Sequence, residues 1–83
     1  MPEKAIHFLK YLIHNMEQNP VTVDKVTKEN VLILLGEAYM SVDRWFEAVH
    51  TLEQAKGHSS DTLKRLKIDN LLGLSYLNLE NID

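Results

Sequence analysis

The chain contains no cysteine. That excludes a disulfide frame and a thiolate metal site, and it fits a reducing, cytoplasmic compartment. No apolar run approaches the roughly 18 residues needed to cross a bilayer, so no membrane insertion is expected. The N-terminus, "MPEKAIHFLKYLIHNMEQNP", carries charge on both sides of a short, interrupted apolar pattern and does not read as a secretory signal. The formal net charge is a mild −3 with no basic patch, which argues against nucleic acid as a partner. There is no H-E-x-x-H, no G-x-S-x-G and no glycine-rich phosphate loop. Carboxylate pairs such as Glu47 and Glu53 have no evident apolar pocket to split their pKa values. Catalysis and a bound cofactor are therefore not expected.

Punctuation is also scarce: 2 prolines and 3 glycines in 83 residues. A chain this short makes one domain at most. It buries only roughly 60–65% of its unfolded surface, so its stability is marginal unless neighbours help. Its apolar and charged fractions are those of a folded chain rather than a disordered one.

What is present is helical periodicity. From Glu3 to about Asn19 the apolar residues Ala5, Phe8, Leu9, Leu12, Ile13 and Met16 form one amphipathic stripe. Pro2 suits a first turn, and Pro20 stops the helix by restricting Asn19. A second helix is predicted to start between Asp24 and Lys28, with Asp24 or Thr27 as N-cap, and to end near Ser41. It is apolar nearly all round. After "SVDR", with Asp43 as the expected N-cap, a third helix sets Trp45, Ala48, Val49, Leu52 and Ala55 on one stripe and stops at Gly57. "HSSD" offers Ser59, Ser60 and Asp61 as caps. A fourth helix, from about Thr62 to Leu79, has two apolar stripes: Leu63, Leu66, Leu74 and Leu77, then Ile68, Leu71, Leu72, Tyr76 and Leu79. Such a helix is expected to lie between two layers. No strand pattern competes. The fold class is all-α, four helices in antiparallel succession.

The chain also repeats itself. "LLGEAYMSVDRW" aligns with "LLGLSYLNLENI" at a separation of 37 residues. Leu34-Leu35-Gly36 falls on Leu71-Leu72-Gly73, Tyr39 on Tyr76, Ala38 on Ser75 and Trp45 on Ile82. "EAVHTLEQA" likewise falls on "KAIHFLKYL" at 43 residues, placing Ala48 on Ala5 and Leu52 on Leu9. Each repeat is a helix pair, A then B, and the chain reads B-A-B-A. A glycine within a helix costs about 1 kcal/mol relative to alanine, so close packing must return at least that much. Gly36 is expected to let its helix approach the next, with Ala48 as the small residue opposite. Tyr39 and Trp45 would fill the wider part of the crossing, and Leu52 and Ala55 would meet the fourth helix.

The pattern L-G-x-x-Y followed by Ala, Leu and Ala resembles the tetratricopeptide repeat. Leu35, Gly36, Tyr39, Ala48, Leu52 and Ala55 stand at its signature positions. Leu32 replaces the usual early Trp, Ser60 the late Pro, and Asp69 the aromatic of the second half. The spacings also exceed the usual 34 residues. The resemblance implies half a repeat at 3–19, a full repeat at about 28–57 and half a repeat at about 62–83, as a single domain or a fragment of a longer array. It implies antiparallel hairpins in an α-α superhelix that holds a peptide or partner helix in its concave groove. Carried over, the groove positions are Asn30, Ile33, Leu34, Glu37, Met40 and Ser41 on the first A helix. On the second they are Lys67, Asn70, Leu71, Leu74, Leu77 and Asn78. A carboxylate clamp of this family needs Lys and Asn where Ile33 and Glu37 stand, so an acidic C-terminal peptide is not the expected ligand. A hydrophobic or amphipathic segment is. The leucines could equally pack on neighbouring helices, and Tyr39, Trp45 and Tyr76 are expected as core rather than as a ligand box.

The function implied is a protein–protein interaction scaffold. The alternative is a regulatory, peptide-sensing segment of a larger regulator, which the lengthened repeats favour. Self-association by head-to-tail or swapped helix contacts is a further expectation, because the chain opens on a B helix and closes on an A helix. His7 and His14 are seven residues apart. That exceeds the spacing of three or four that chelation on one helix uses. His50 and His58 fall in a helix and the loop after it. Solvated or interfacial histidines are the expectation, and a helical zinc or haem site is the weaker alternative.

Overall fold

The computed structural model describes residues 2–19, 25–59 and 61–80. These form four helices: α1 (Pro2–Gln18), α2 (Lys25–Ser41), α3 (Trp45–His58) and α4 (Thr62–Glu80). Among the described residues there is no strand. The expected roles of Pro20, Asp24, Ser60 and Ile82 fall outside them.

The helix ends follow from local chemistry. Pro2 occupies the first turn of α1, where its missing N–H leaves no bond unmade. Asn19 closes the other end, with both its backbone N–H and its side-chain amide donating to the Asn15 carbonyl. Thr27 lies inside the first turn of α2 and is not its cap.

The end of α2 corrects a second expectation. Asp43 does not cap α3; it takes a left-handed φ of 60°. The Arg44 N–H reaches the Tyr39 carbonyl at 2.9 Å and the Asp43 N–H reaches Met40 at 3.1 Å. That paired pattern is a Schellman ending, with Asp43 in the place glycine usually takes. The Arg44 guanidinium then sits 5.0 Å from the centre of the Tyr39 ring and forms an ion pair with Glu47. The entry to α3 is held by that pairing, since Arg44 at the N-cap makes no side-chain capping bond.

Gly57 lies within the last turn of α3 rather than stopping it, and Ser59 closes the helix through its N–H to Lys56. Asp61 caps α4: its Oδ1 accepts the Leu63 N–H at 3.0 Å.

Successive helices pack in the order α1 on α2, α2 on α3 and α3 on α4, with a narrow contact of α2 on α4. Pairings such as Tyr76–Glu53 and Asp69–Lys56 make α3 and α4 antiparallel. Glu29–Lys64 and Glu37–Lys67 rise together, so α2 and α4 run parallel. The chain is a slab of 42 × 30 × 17 Å. Its core is two joined clusters. Leu32, Ile33, Leu52, Ala55, Ile68 and Leu72 tie α2, α3 and α4 together. Ile6, Leu35, Tyr39 and Ala48 tie α1, α2 and α3 together.

The partner of Gly36 is Leu52, not Ala48. A Cβ on Gly36 would meet Leu52 Cδ2 at 2.6 Å and Cγ at 2.7 Å. Ala48 is fully buried in the other cluster, beside Tyr39 and Ile6. Thr51, on the same face of α3, is buried as well, although the apolar pattern does not include it. On α1 the stripe is turned from its expected position. Ile6, Leu9 and Ile13 face the core, while Ala5 and Phe8 are exposed. On α4 only part of one of the two stripes is covered, and Tyr76, expected in the core, is 46% exposed. Ile68, Leu72 and Ser75 are buried, whereas Leu63, Leu66, Leu74 and Leu77 are exposed. The Ser75 hydroxyl is satisfied by the Leu71 carbonyl at 2.9 Å.

Gly73, the repeat equivalent of Gly36, stands in open space: a Cβ added there would meet nothing within 4 Å. The two glycines should therefore respond oppositely to alanine. Gly36→Ala gains about 1 kcal/mol of helix propensity but overpacks Leu52 by about 1–3 kcal/mol. Gly73→Ala keeps only the gain. Urea denaturation at low protein concentration should show Gly36→Ala destabilised and Gly73→Ala stabilised by about 1 kcal/mol. Equal shifts in the same direction would contradict the close crossing at Gly36.

Candidate functional site

Because α2 and α4 run parallel, their outward faces bound a shallow groove of about 280 Å³ lined by Asn30, Ile33, Leu34, Glu37, Lys64 and Lys67. Five of these six are positions that the repeat resemblance assigns to a groove; Lys64 is the addition. Helical phase adds Leu74, one and two turns beyond Leu71 and Lys67 on the same side of α4.

The carried-over residues divide by burial. Leu34 and Leu74 are both half exposed and offer apolar surface. Ile33 is buried and Leu71 and Met40 pack against the core, so their side chains support the groove floor rather than present it. Ser41 is exposed at the end of α2, its hydroxyl turned back onto the Ala38 carbonyl at 2.7 Å. Asn78 likewise donates to the Leu74 carbonyl at 2.8 Å. Asn70 and Leu77 are exposed. At about 100° per residue they lie about 60–80° round α4 from Lys67, on the side away from α3. The structure thus brings together Asn30, Leu34, Glu37 and Lys67, with Leu74 on the Lys67 side of α4 by helical phase, and sets Asn70 and Leu77 on another face.

The polar frame of the groove is a pair of ion pairs across α2 and α4. Lys67 Nζ stands 3.9 Å from Glu37 Oε2, between two partly exposed side chains. Lys64 Nζ stands 3.1 Å from Glu29 Oε1, and here the Glu29 side chain is only 4% exposed. Neither the apolar pattern nor the repeat resemblance singles out Glu29. A signal exists all the same: Glu29, Ile33, Gly36 and Met40 recur at helical spacing along one stripe. Charge conceals it, because an ionised group on a buried stripe is tolerated only with a partner. That partner lies 35 residues away, on another helix.

The remaining electrostatics lie in contacts within and between helices. The Arg44 hydrogen bond lowers the pKa of the Glu47 carboxyl, and the same bond raises that of Arg44. Burial raises the Tyr39 phenol, with the Glu47 charge adding to it. Tyr76 donates to Glu53 at 2.9 Å, and that bond raises its phenol too. All four histidines are exposed. Among the described residues, no group of three or more His, Asp or Glu comes close enough to hold a metal ion. No described helix is long and apolar enough to cross a membrane.

Lys64→Met should leave Glu29 buried without its cation and cost about 2 kcal/mol in urea denaturation. Adding Glu29→Leu should recover most of that loss, since an apolar pair of similar volume has no charge to desolvate. A neutral Lys64→Met would mean that the pair does not clamp α2 to α4. Comparison with models of known families, with characterised proteins and with solved structures returns no match for the chain.

Proposed function

We propose that the chain is a helical-repeat interaction module of the tetratricopeptide type, and that its α2–α4 groove receives an amphipathic segment of another protein. The observation that carries this reading is the groove itself. Leu34 and Leu74 stand exposed on two parallel helices beside a rim of paired charges. Exposed leucines in a concavity favour an apolar stripe, and the polar rim fixes its orientation. Lys64 and Lys67 each lie against a carboxylate. The groove therefore offers an acidic C-terminus little net positive charge, and a carboxylate-clamp specificity is not part of the proposal.

A second reading, the regulatory sensing segment, rests on the repeat spacings of 37 and 43 residues. It uses the same groove, with the bound segment acting as a signal. An adjoining DNA-binding helix-turn-helix would distinguish it from a scaffold.

The test is selection of peptides from a random displayed library against the folded chain. Selected peptides should carry apolar residues at helical spacing. Their binding, followed by fluorescence anisotropy, should fall at least about tenfold in the double variant Leu34→Glu with Leu74→Glu, the loss typical of a central interface residue. Phe8→Glu, on α1 and outside the lining of the groove, should leave it unchanged. Selected peptides that bind the double variant as tightly as the native chain would overturn the assignment of the groove.

A further inference from the structure

We propose that the chain assembles head to tail with copies of itself, the outer face of α1 in one copy docking on the open face of α4 in the next. This goes beyond the groove reading and uses different faces of the molecule.

The chain carries its own template for the contact. Within one copy, α3 sets Ala48, Leu52 and Ala55 against the stripe Ile33, Gly36 and Met40 of α2. The internal repeat maps the first set onto Ala5, Leu9 and Leu12 of α1, and the second onto Asn70, Gly73 and Leu77 of α4. Both mapped sets are uncovered. Ala5 is exposed, Leu9 and Leu12 are only half-buried, and Asn70, Gly73 and Leu77 are exposed.

Leu9 shows the missing half most directly. Its counterpart Leu52 is 0% exposed because it is wedged between Gly36 on one side and Ile68 and Leu72 on the other. Leu9 packs against the cluster that joins α1 to α2 and α3, and no described helix covers its other side. The gap over Gly73 is the complement: it has the same backbone and no side chain within 4 Å of an added Cβ.

Two further features suit a second copy. Phe8 is 60% exposed, whereas its counterpart Thr51 is buried. Leu66 and Leu77, both more than half exposed, flank Gly73 on the same face of α4. Charge agrees with the register. Running antiparallel with Leu9 over Gly73, α1 brings Lys4 near Glu80 at the end of the contact.

The contact is heterologous, since it joins two unlike faces. Each copy added leaves a fresh α1 face at one end and a fresh α4 face at the other, so growth does not close at two chains.

Sedimentation equilibrium of the chain from micromolar to millimolar concentration tests this. The weight-average mass should rise with concentration and pass twice the chain mass without a plateau. Phe8→Glu and Gly73→Leu should each abolish the rise while helix content by circular dichroism is retained. Gly73→Leu fills space that is empty within the chain. An equimolar mixture of the two variants should then associate and stop at two chains, because each variant has one intact face. Lys4→Glu should weaken association of the native chain, and combining it with Glu80→Lys should restore it.

A mass independent of concentration would overturn the proposal, as would a plateau at a dimer. So would association that survives both variants, or a variant mixture that stays monomeric while the native chain associates.

Discussion

The fold depends on one side chain pressed against a place where there is none. Leu52 lies on Gly36 closely enough that a single added carbon would collide with it. The same leucine reaches Ile68 and Leu72, so one residue joins α2, α3 and α4. Closeness is what makes this work. A slab 17 Å thick has little interior, and a full-sized side chain at position 36 would push α3 outward and open both clusters. The helix penalty of the glycine is offset by contacts that would otherwise be lost along the length of two helices.

Ion pairs then secure what the crossing sets. Glu29–Lys64 fixes α4 against α2, and Lys56–Asp69 with Tyr76–Glu53 fixes it against α3. The groove is a by-product of this arrangement. Two helices that run parallel, each packed on α3 behind, meet in front only through a narrow contact. The space they leave is lined by residues of their outer turns, Leu34 and Lys67 among them. A groove of this kind is placed by the scaffold and needs no loop to form it.

Much of this is legible in the sequence, because periodicity reports which residues could share a helix. All four helices fall within a few residues of their expected ends, and the doubled "LLGxxY" points to Gly36 as a packing residue. Periodicity does not report which face finds a partner. It draws the apolar stripe of α1 through Ala5 and Phe8, but burial belongs to Ile6, Leu9 and Ile13. It makes both faces of α4 look like core, yet Leu63, Leu66, Leu74 and Leu77 are exposed. A mid-helix glycine suggests a small residue opposite, as if the crossing were a meeting of two small side chains. The structure instead seats a leucine in the glycine's space. Asp43 has a side chain suited to a cap, whereas its left-handed backbone serves the end of the preceding helix. Glu29 falls on the buried stripe of α2 by spacing, but its charge conceals it, because the cation that makes its burial tolerable is distant in the chain. Of the groove positions that the repeat resemblance implies, Leu34, Glu37 and Lys67 lie together, while Ile33 and Leu71 turn inward.

The claim that Leu52 seated on Gly36 governs the packing is tested most directly by a double-mutant cycle between Gly36→Ala and Leu52→Ala, read as unfolding free energies in urea. If the two residues fill one space, trimming the leucine relieves the collision made by the added methyl. Leu52→Ala should then cost at least about 1 kcal/mol less in the Gly36→Ala background than in the native chain. Costs that add to within about 0.3 kcal/mol would show that the two positions are energetically independent, and would contradict the account.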